Sequence, residues 1–453
     1  MKQLDDKNYL GTQLDVASSS GDHDIPFWSW RPLLLIGSLS LFYIITALFT
    51  HVFRLPLLPV VPQPSQPSAL RHYFSAVQHV TGTFSGSHFI YLANGWLQGH
   101  LYINQPVGGT GDYTFFHGHW YVAFPPLPAV FFLPLVAIFH YTHQLELSLG
   151  VALFFGIVNI VLMFFVLQRL PVLAFAHIAW LLSFFALGTE LFFVTMQASV
   201  WFLAHVIATT FLLCYLLELI GPRRGWLAAL WLGLAALSRS TVLLAFPSYL
   251  ILIYLSERQK PRLMWQQVLT FSCVLGAFVT GMLLYNLARF GSLLDFGYLS
   301  MNVSPRLSYR LHTYGQFSLH FLSTNMYYMF IQPPQFLTIW PYLQFNPWGT
   351  SIFWTMPALY RAVRVFLAQP SSWLPWGMLG GCILPLGAIL LYFNTGWYQF
   401  GFRFVLDILP FLFVLAVFGY RGRLPWYDKG LIGLSIGLNL WGWMDFRYFP
   451  PLH

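Results

Sequence analysis

The sequence predicts an all-α, polytopic integral membrane protein with about 10–13 membrane helices and a large first outer loop. Charged residues make up only 8% of the 453 residues, whereas hydrophobic residues make up 57%. Soluble domains carry about 25% charged residues, so this chain has too little charge to coat a soluble surface. The composition therefore argues against a soluble enzyme, a disordered protein and a nucleic-acid binder.

The N-terminal third divides into a tail, one helix and a loop. Residues 1–31 are polar and rich in Asp, which predicts a cytoplasmic tail, and the uncharged run 32–53 predicts the first spanning helix. Residues 54–125 form the predicted first outer loop, with Pro-rich stretches, clustered glycines and many histidines. Long loops between hydrophobic elements are usually functional.

The rest of the predicted transmembrane domain, 32–453, consists of apolar runs separated by charged loops. The later runs are 126–145, 147–168, 172–189, 191–217, 263–288, 318–337, 373–393, 404–420 and 430–444. Ser238-Arg239-Ser240 interrupts the apolar stretch 227–255. Because each side is too short to span comfortably, we expect two short helices that meet at a polar turn.

The orientation follows from four Arg/Lys clusters, at 223–224, 258–262, 361–364 and 421–429. Cytoplasmic loops of membrane proteins are rich in Lys and Arg, so we place all four clusters inside; the net charge of +8 then needs no nucleic-acid partner. The protein is then expected in the cell (inner) membrane with its N-terminus in the cytoplasm. The first loop and the segments 289–317 and 394–403 share the outer face.

Few carboxylates remain for chemistry at that face. Of 14 acidic residues, the topology leaves five there: Asp112, Glu190, Asp295, Asp407 and Asp445. Asp112 is the one acid in the first outer loop, within an aromatic, His-rich segment. It is a candidate catalytic base, and the alternative is an Asp that caps a turn after Gly111.

The histidines, the cysteines and one membrane-embedded arginine are the candidates for binding a metal ion or an anion. His117 and His119 lie two apart without a third ligand, so interfacial histidines are favoured over a metal site, and no metal or cofactor is predicted. Cys214, Cys273 and Cys382 are isolated in apolar stretches. An Arg within an apolar stretch costs roughly 2.5–3.5 kcal/mol to insert, so Arg239 is expected to hold a partner such as a phosphate; snorkelling to the interface is the alternative.

The segment 394–407 combines sugar-binding residue types with a possible ion pair. Arg403 and Asp407 are four residues apart, which on an α-helix would place them on one face as an ion pair. Asn394, Trp397 and Gln399 precede them. Amide groups hydrogen-bond sugar hydroxyls, and the indole ring stacks on the apolar face of a sugar. A structural ion pair and a binding role both remain open.

Five segments in order resemble members of the GT-C glycosyltransferase superfamily, in particular its RgtA/B/C/D-like and ArnT- or protein-mannosyltransferase-like group. They are HFIYLANGWLQGHLYI (88–103), HGHWYVAFPPLPAVFFLPL (117–135), LAALSRSTVLLAFP (234–247), YNLARFGSLLDFGY (285–298) and NTGWYQFGFRFVLDILP (394–410).

The resemblance implies a GT-C type helical fold and a multi-pass glycosyltransferase. Such an enzyme moves a sugar from a polyprenyl-phosphate donor to a hydroxyl on a lipid or glycan acceptor, at the outer face of the membrane. The family's usual acid just after the first helix is absent here, where the chain reads Ser87-His88. The catalytic roles then pass to Asp112 and Glu190, and the lipid phosphate to Arg239 and Arg403.

The remaining substrate-binding residues expected from this reading are His117, His119, Tyr121, Asn394, Trp397, Gln399 and Asp407. Two alternatives have no sugar transfer: a lipid or sugar transporter, and a degenerate GT-C binding protein.

Overall fold

The computed structural model describes residues 29–52, 87–104, 106, 110–140, 144–170, 174–338, 341–367 and 372–448. Nearly all of the predicted tail 1–31 and residues 53–86 of the predicted first loop lie outside this description. The described residues are mostly helical, with two small two-stranded sheets.

The α-helices, in chain order, are α1 (Trp30–Val52), α2 (Ser87–Leu97), α3 (Leu127–Phe139), α4 (Gln144–Gln168), α5 (Phe175–Leu187), α6 (Glu190–Gln197), α7 (Val200–Ile220), α8 (Gly225–Ala236), α9 (Pro247–Glu257), α10 (Pro261–Phe290), α11 (Pro305–Tyr314), α12 (Leu322–Met326), α13 (Ile352–Thr355), α14 (Arg361–Leu367), α15 (Leu374–Leu391), α16 (Leu409–Tyr420) and α17 (Trp426–Tyr448). The strands are β1 (Thr114–Phe116), β2 (His119–Tyr121), β3 (Gln335–Phe336) and β4 (Leu343–Gln344). The 3₁₀ helices are Ser240–Ala245, Leu319–Phe321, Pro357–Tyr360 and Arg403–Asp407, and Tyr327–Ile331 is a π-helix.

Several helices are long and apolar enough to cross a membrane. Among the described residues there are six, or seven if the bent pair of α5 and α6 is one span, and α3, α8 and α16 are shorter apolar helices. These spans are compatible with a multi-pass membrane protein. They are fewer than the predicted 10–13, because the apolar runs 318–337 and 404–420 are each divided between shorter elements and the helix in the run 126–145, α3, is short.

Helix α10 exposes a long apolar surface. It has 30 residues, but only Phe271, Leu275, Asn286, Arg289 and Phe290 are buried within the protein. Large apolar side chains elsewhere along it, including Trp265 and Leu269, are more than half exposed. A soluble protein rarely exposes so large a continuous apolar surface, so lipid is the natural neighbour of this helix.

Helix α7 forms the centre of the bundle, where it packs against α4 and α8. Two hydrogen bonds join it to α4: Thr210 donates to the Asn159 side chain (2.7 Å), and Asn159 donates to the Val206 carbonyl (3.0 Å). Interhelical hydrogen bonds of this kind help to hold helices together in lipid.

The bundle has two ends that differ in chemistry. At the first, here called the Arg239 end, helices α8, α10 and α15 finish and α7 and α16 begin. At the other, the Arg224 end, α7, α9 and α16 finish and α8, α10 and α17 begin. The predicted polar turn at 238–240 is present at the Arg239 end, between α8 and the 3₁₀ helix that leads into α9.

The predicted first outer loop contains structure of its own. It includes α2 and the antiparallel β1–β2 hairpin, with Thr114 opposite Tyr121 and Phe116 opposite His119. The hairpin is bridged to a later segment, since Thr114 pairs with Met301. The β1–β2 hairpin and the segment after α10 therefore form one layer over the Arg239 end.

Candidate functional site

The loop that carries Asp112 is held on both sides. On one side, the Asp112 N–H donates to the Asn302 carbonyl (2.8 Å), and the Asn302 N–H donates to the Tyr113 carbonyl (2.8 Å). On the other, the His88 ring of α2 stacks on Tyr113 with centroids 3.8 Å apart, and its Nε2 lies 3.2 Å from the Gly111 carbonyl. These contacts fix Asp112 at a φ of 61°, a left-handed conformation that an Asp adopts more readily than most residues.

The Asp112 carboxyl group faces inward, toward the helix ends. The Trp201 side chain at the start of α7 hydrogen-bonds to it, and Arg403 interacts with it electrostatically. Burial raises the pKa of this carboxyl to about 6, against the opposing effects of Arg403 and Trp201. Asp112 as a whole is partly exposed, although its carboxyl group is largely buried.

Asp407 anchors the second part of the site. Arg239 donates to it through Nε (3.3 Å) and Nη2 (3.2 Å), and Thr241 donates to the same carboxylate. The His205 Nδ1 of α7 lies 3.0 Å from Asp407 Oδ1, the oxygen that the Arg239 Nε also contacts. Asp407 is 1% exposed and surrounded by these partners, so it positions Arg239 and does not face a substrate directly.

Arg403 is buried beside this pair but has no carboxylate within salt-bridge distance among the described residues. Its Nη1 donates to the Trp397 carbonyl (3.2 Å) and to Gln399 Oε1 (2.9 Å), whereas its buried Nε has no hydrogen-bond partner. Leaving a buried cationic donor unpaired is costly, so this group is suited to receive an anion.

This arrangement corrects the predicted pairing of Arg403 with Asp407. Residues 403–407 form a 3₁₀ helix, in which i and i+3 share a face instead of i and i+4. Asp407 therefore turns to Arg239, which lies 168 residues away in sequence.

Tyrosines and a third arginine complete the cluster. Tyr298, after α10, interacts electrostatically with Arg239, Asp112 and Arg289, and hydrogen-bonds with Tyr392, the residue after α15. Tyr392 in turn interacts with Arg239, Arg403 and Asp112. Arg289, 6% exposed, donates to the Val122 carbonyl (2.7 Å) and stacks over Tyr285, and its Nε is also unpaired.

The charged groups of this cluster balance in number, but their hydrogen bonds are incomplete. Arg239 and Arg403 lie near the carboxylates of Asp112 and Asp407, and Arg289 interacts with Asp295. Among the described residues, the buried Nε groups of Arg289 and Arg403 have no hydrogen-bond partner. Two unpaired cationic donors of this kind favour a bound anion.

Glu190 lies apart from this cluster. It begins α6, is fully buried, and interacts with Thr355 and with the backbone of Gly401. A side chain at position 401 would overlap its carboxylate, so Gly401 is needed for this packing. The structure therefore places the two predicted catalytic acids in different surroundings.

The other predicted substrate residues are dispersed. His117 and His119 are exposed on the β1–β2 hairpin, where His119 stacks on Tyr102 (4.2 Å), and Tyr121 is buried against Phe290. In the later segment, Asn394 accepts from the Gly396 N–H, which closes a turn.

Gln399 and Trp397 have structural contacts of their own. Gln399 is fully buried, and its amide nitrogen donates to the carbonyls of Trp348 and Thr395 while its oxygen accepts from Arg403. Trp397 packs on Trp348 with centroids 4.5 Å apart and is half-buried. Gln399 thus orients Arg403, whereas Trp397 retains an accessible surface.

Sequence reasoning missed several members of the cluster, namely Trp201, His205, Thr241, Arg289, Tyr298 and Tyr392. Arg289 carried a usable signal, since it is a cation at the end of a 30-residue apolar helix. In the part of the chain that the structure describes, no three His, Cys, Asp or Glu side chains come together as metal ligands would.

An apolar cavity of about 470 Å³ lies beside the cluster, between α2, α3, the end of α8 and α10. Trp96, Leu127, Leu237 and Tyr285 are among its lining residues. Leu237 is two residues before Arg239, and Arg289 stacks over Tyr285, so the cavity borders the cationic cluster.

No known protein family, curated protein or solved structure matches this chain.

Proposed function

We propose that the protein is a membrane glycosyltransferase that moves a sugar from a polyprenyl-phosphate donor to a hydroxyl acceptor at the outer face of the cell (inner) membrane. The observation that carries the proposal is the position of the Asp112 carboxyl beside Arg403, which itself neighbours Arg239, at one end of an apolar helical bundle. A base and an anion site side by side are what displacement of a phosphate leaving group requires.

The proposed step uses these groups in two roles. The acceptor hydroxyl gives its proton to the Asp112 carboxylate while its oxygen forms a bond to the anomeric carbon of the donor sugar. The bond between that carbon and the phosphate oxygen breaks, and polyprenyl phosphate leaves with the electron pair. Arg403 and Arg239 stabilise the negative charge that grows on the leaving oxygen.

Asp407 and Gln399 contribute by holding the two arginines. Asp407 binds Arg239 through both oxygens, and Gln399 accepts a hydrogen bond from Arg403. Fixed cations need little reorganisation as the charge develops, which is the basis of electrostatic preorganisation. In the described part of the chain, the partners of Glu190 are Thr355 and the Gly401 backbone and not the arginines, so the proposal gives it no catalytic step.

The apolar cavity beside Leu237 supports a lipid-linked donor. Its lining is almost wholly apolar, and two of its lining residues adjoin the cluster: Leu237 is two residues before Arg239, and Tyr285 stacks with Arg289. A prenyl chain in this cavity would bring its phosphate to the cationic cluster, whereas a water-soluble nucleotide donor would gain little from such walls.

The test uses purified protein in liposomes with radiolabelled undecaprenyl-phosphate mannose, glucose or aminoarabinose and a mixture of hydroxyl acceptors. We expect one donor to release free undecaprenyl phosphate and to transfer its sugar. Movement of an intact donor across the bilayer without release would indicate a transporter instead. Absence of both release and movement, with all three donors, would count against either activity.

A further inference from the structure

A basic helix lies on the surface beside the site and is not explained by the donor. Helix α11 carries Arg306 and Arg310 on successive turns. No acidic residue occurs between Asp295 and Asp407, and no carboxylate lies within salt-bridge distance of either arginine among the described residues. Partial burial and repulsion from Arg306 lower the pKa of Arg310, so the two charges act on each other.

Each guanidinium group is oriented by an aromatic ring. The Arg306 guanidinium lies 5.2 Å from the centre of the Trp348 ring, and that of Arg310 lies 4.7 Å from the Phe321 ring. Such contacts fix the direction of a side chain without neutralising its charge. The N–H groups remain available to an anionic ligand.

This surface connects to the buried cluster through two indole rings. Trp348 packs on Trp397, and the Trp397 carbonyl accepts a hydrogen bond from Arg403. The order Arg306, Trp348, Trp397, Arg403 thus runs from an exposed residue to the buried cation. Both indoles are half-buried, which leaves aromatic surface along the path.

We infer that Arg306, Arg310, Trp348 and Trp397 form a binding site for an anionic saccharide, the acceptor of the reaction. Sugar rings pack on the indole faces, and carboxylate or phosphate groups on the saccharide bind the two guanidinium groups. This inference rests on the proposed function, because it assigns the acceptor side of the same site.

Two observations favour a saccharide over membrane headgroups. The two-indole path leads into the protein toward Arg403, whereas headgroups would require only the outer face of α11. Positive charge on a surface expected to face outward is also the reverse of the usual bias of membrane proteins, which points to a specific use.

The probe is trigalacturonate, an anionic trisaccharide, and the control ligand is maltotriose, a neutral trisaccharide. Calorimetry measures the binding of each to the detergent-solubilised protein in the absence of donor. We expect trigalacturonate to bind at least tenfold more tightly than maltotriose. The double variant Arg306→Gln/Arg310→Gln should lose at least tenfold of that affinity, and Trp397→Leu should weaken it severalfold.

The control is Arg258→Gln/Arg262→Gln, which removes two exposed arginines with the same spacing at the Arg224 end. It should bind trigalacturonate like the unchanged protein. Equal affinity for the two saccharides, or equal loss in both double variants, would overturn the inference. So would Arg306- and Arg310-dependent binding to phosphatidylglycerol vesicles without trigalacturonate binding, because α11 would then be a membrane-contact helix.

Because no donor is present, this measurement is independent of sugar transfer. Trigalacturonate binding without undecaprenyl phosphate release from any donor would defeat the proposed function and leave the saccharide site standing. Transfer without trigalacturonate binding would do the opposite.

Discussion

Two buried arginines at opposite ends of the bundle have different partners. Arg361, at the Arg224 end, is 6% exposed and binds Asp428 through Nε (3.2 Å) and Nη2 (2.5 Å), with a further hydrogen bond to the Tyr427 hydroxyl. Arg403, at the Arg239 end, is 4% exposed and has only neutral oxygen acceptors within hydrogen-bond distance. The same residue type is thus neutralised in one place and left with spare binding capacity in the other.

The comparison distinguishes a structural ion pair from a ligand site. Asp428 also accepts from the Tyr360 hydroxyl, so the charge of Arg361 is compensated by direct partners. Arg403 has Arg239 as an unfavourable electrostatic neighbour and Asp112 and Asp407 as favourable ones. Neither carboxylate is within salt-bridge distance of Arg403 among the described residues, so an anionic substrate can pair with Arg403 directly.

The largest effect is expected at Asp112. Asp112→Asn removes the proposed base but keeps the shape of the side chain, so turnover should fall by about 10²–10⁴-fold. Expression and thermal stability should stay close to those of the unchanged protein. Turnover is measured as release of undecaprenyl phosphate.

Glu257→Gln is the matched control, since it makes the same carboxyl-to-amide change at the Arg224 end. It should retain full turnover. If Asp112→Asn kept more than a tenth of the activity, another group would have to be the base.

The next effect concerns stability and separates the two arginines directly. Arg361→Met leaves Asp428 buried without its cation, which should cost about 3–5 kcal/mol in unfolding free energy. Arg403→Met orphans no directly paired carboxylate but leaves the buried Gln399 oxygen without its donor, so its cost should be smaller, about 1–3 kcal/mol. Denaturant unfolding in mixed micelles measures both.

The double variant Arg361→Met/Asp428→Asn should recover most of the lost stability, because the orphaned charge is removed with its partner. Equal losses of unfolding free energy for Arg361→Met and Arg403→Met would contradict the distinction between a structural ion pair at Arg361 and a ligand site at Arg403.

Part of the difference between the Arg224 end and the Arg239 end can be predicted from the sequence. The four Arg/Lys clusters mark one end of the bundle, and uncharged runs give helix limits to within a few residues: the run 263–288 lies within α10. Arg239 was recognisable because a cation interrupts an apolar stretch.

The pairing within the site was not predictable from local pattern. Asp407 is four residues from Arg403 but binds Arg239, since the local 3₁₀ geometry turns it away and the fold supplies a distant partner. Tyr298 and Tyr392 gave no signal either, because tyrosine at the end of an apolar helix is common at membrane interfaces.

The pH dependence tests the state of Asp112. Burial raises the pKa of its carboxyl to about 6, and only the ionised form can accept a proton. Turnover should therefore be constant above about pH 7 and fall as the pH drops through 6, reaching about one tenth of its plateau near pH 5. A single-turnover profile in liposomes measures this.

A midpoint near 4, the ordinary value for Asp, would show that the carboxyl is not in the buried environment described. The Glu257→Gln variant should give the same profile as the unchanged protein.

The smallest effect isolates anion binding at Arg403 from lipid binding. Farnesyl phosphate, at ten times its dissociation constant, should stabilise the protein by about 1.4 kcal/mol, measured as a shift in thermal unfolding. Farnesol has the same chain without the phosphate, so protection by farnesol reports the apolar cavity alone. In Arg403→Met, farnesyl phosphate should stabilise the protein no more than farnesol does. In Arg361→Met, farnesyl phosphate should still give the larger stabilisation, measured relative to that variant without ligand. If farnesol protected as well as farnesyl phosphate, the buried Arg403 guanidinium would not be an anion site, and the contrast between the two arginines would reduce to packing.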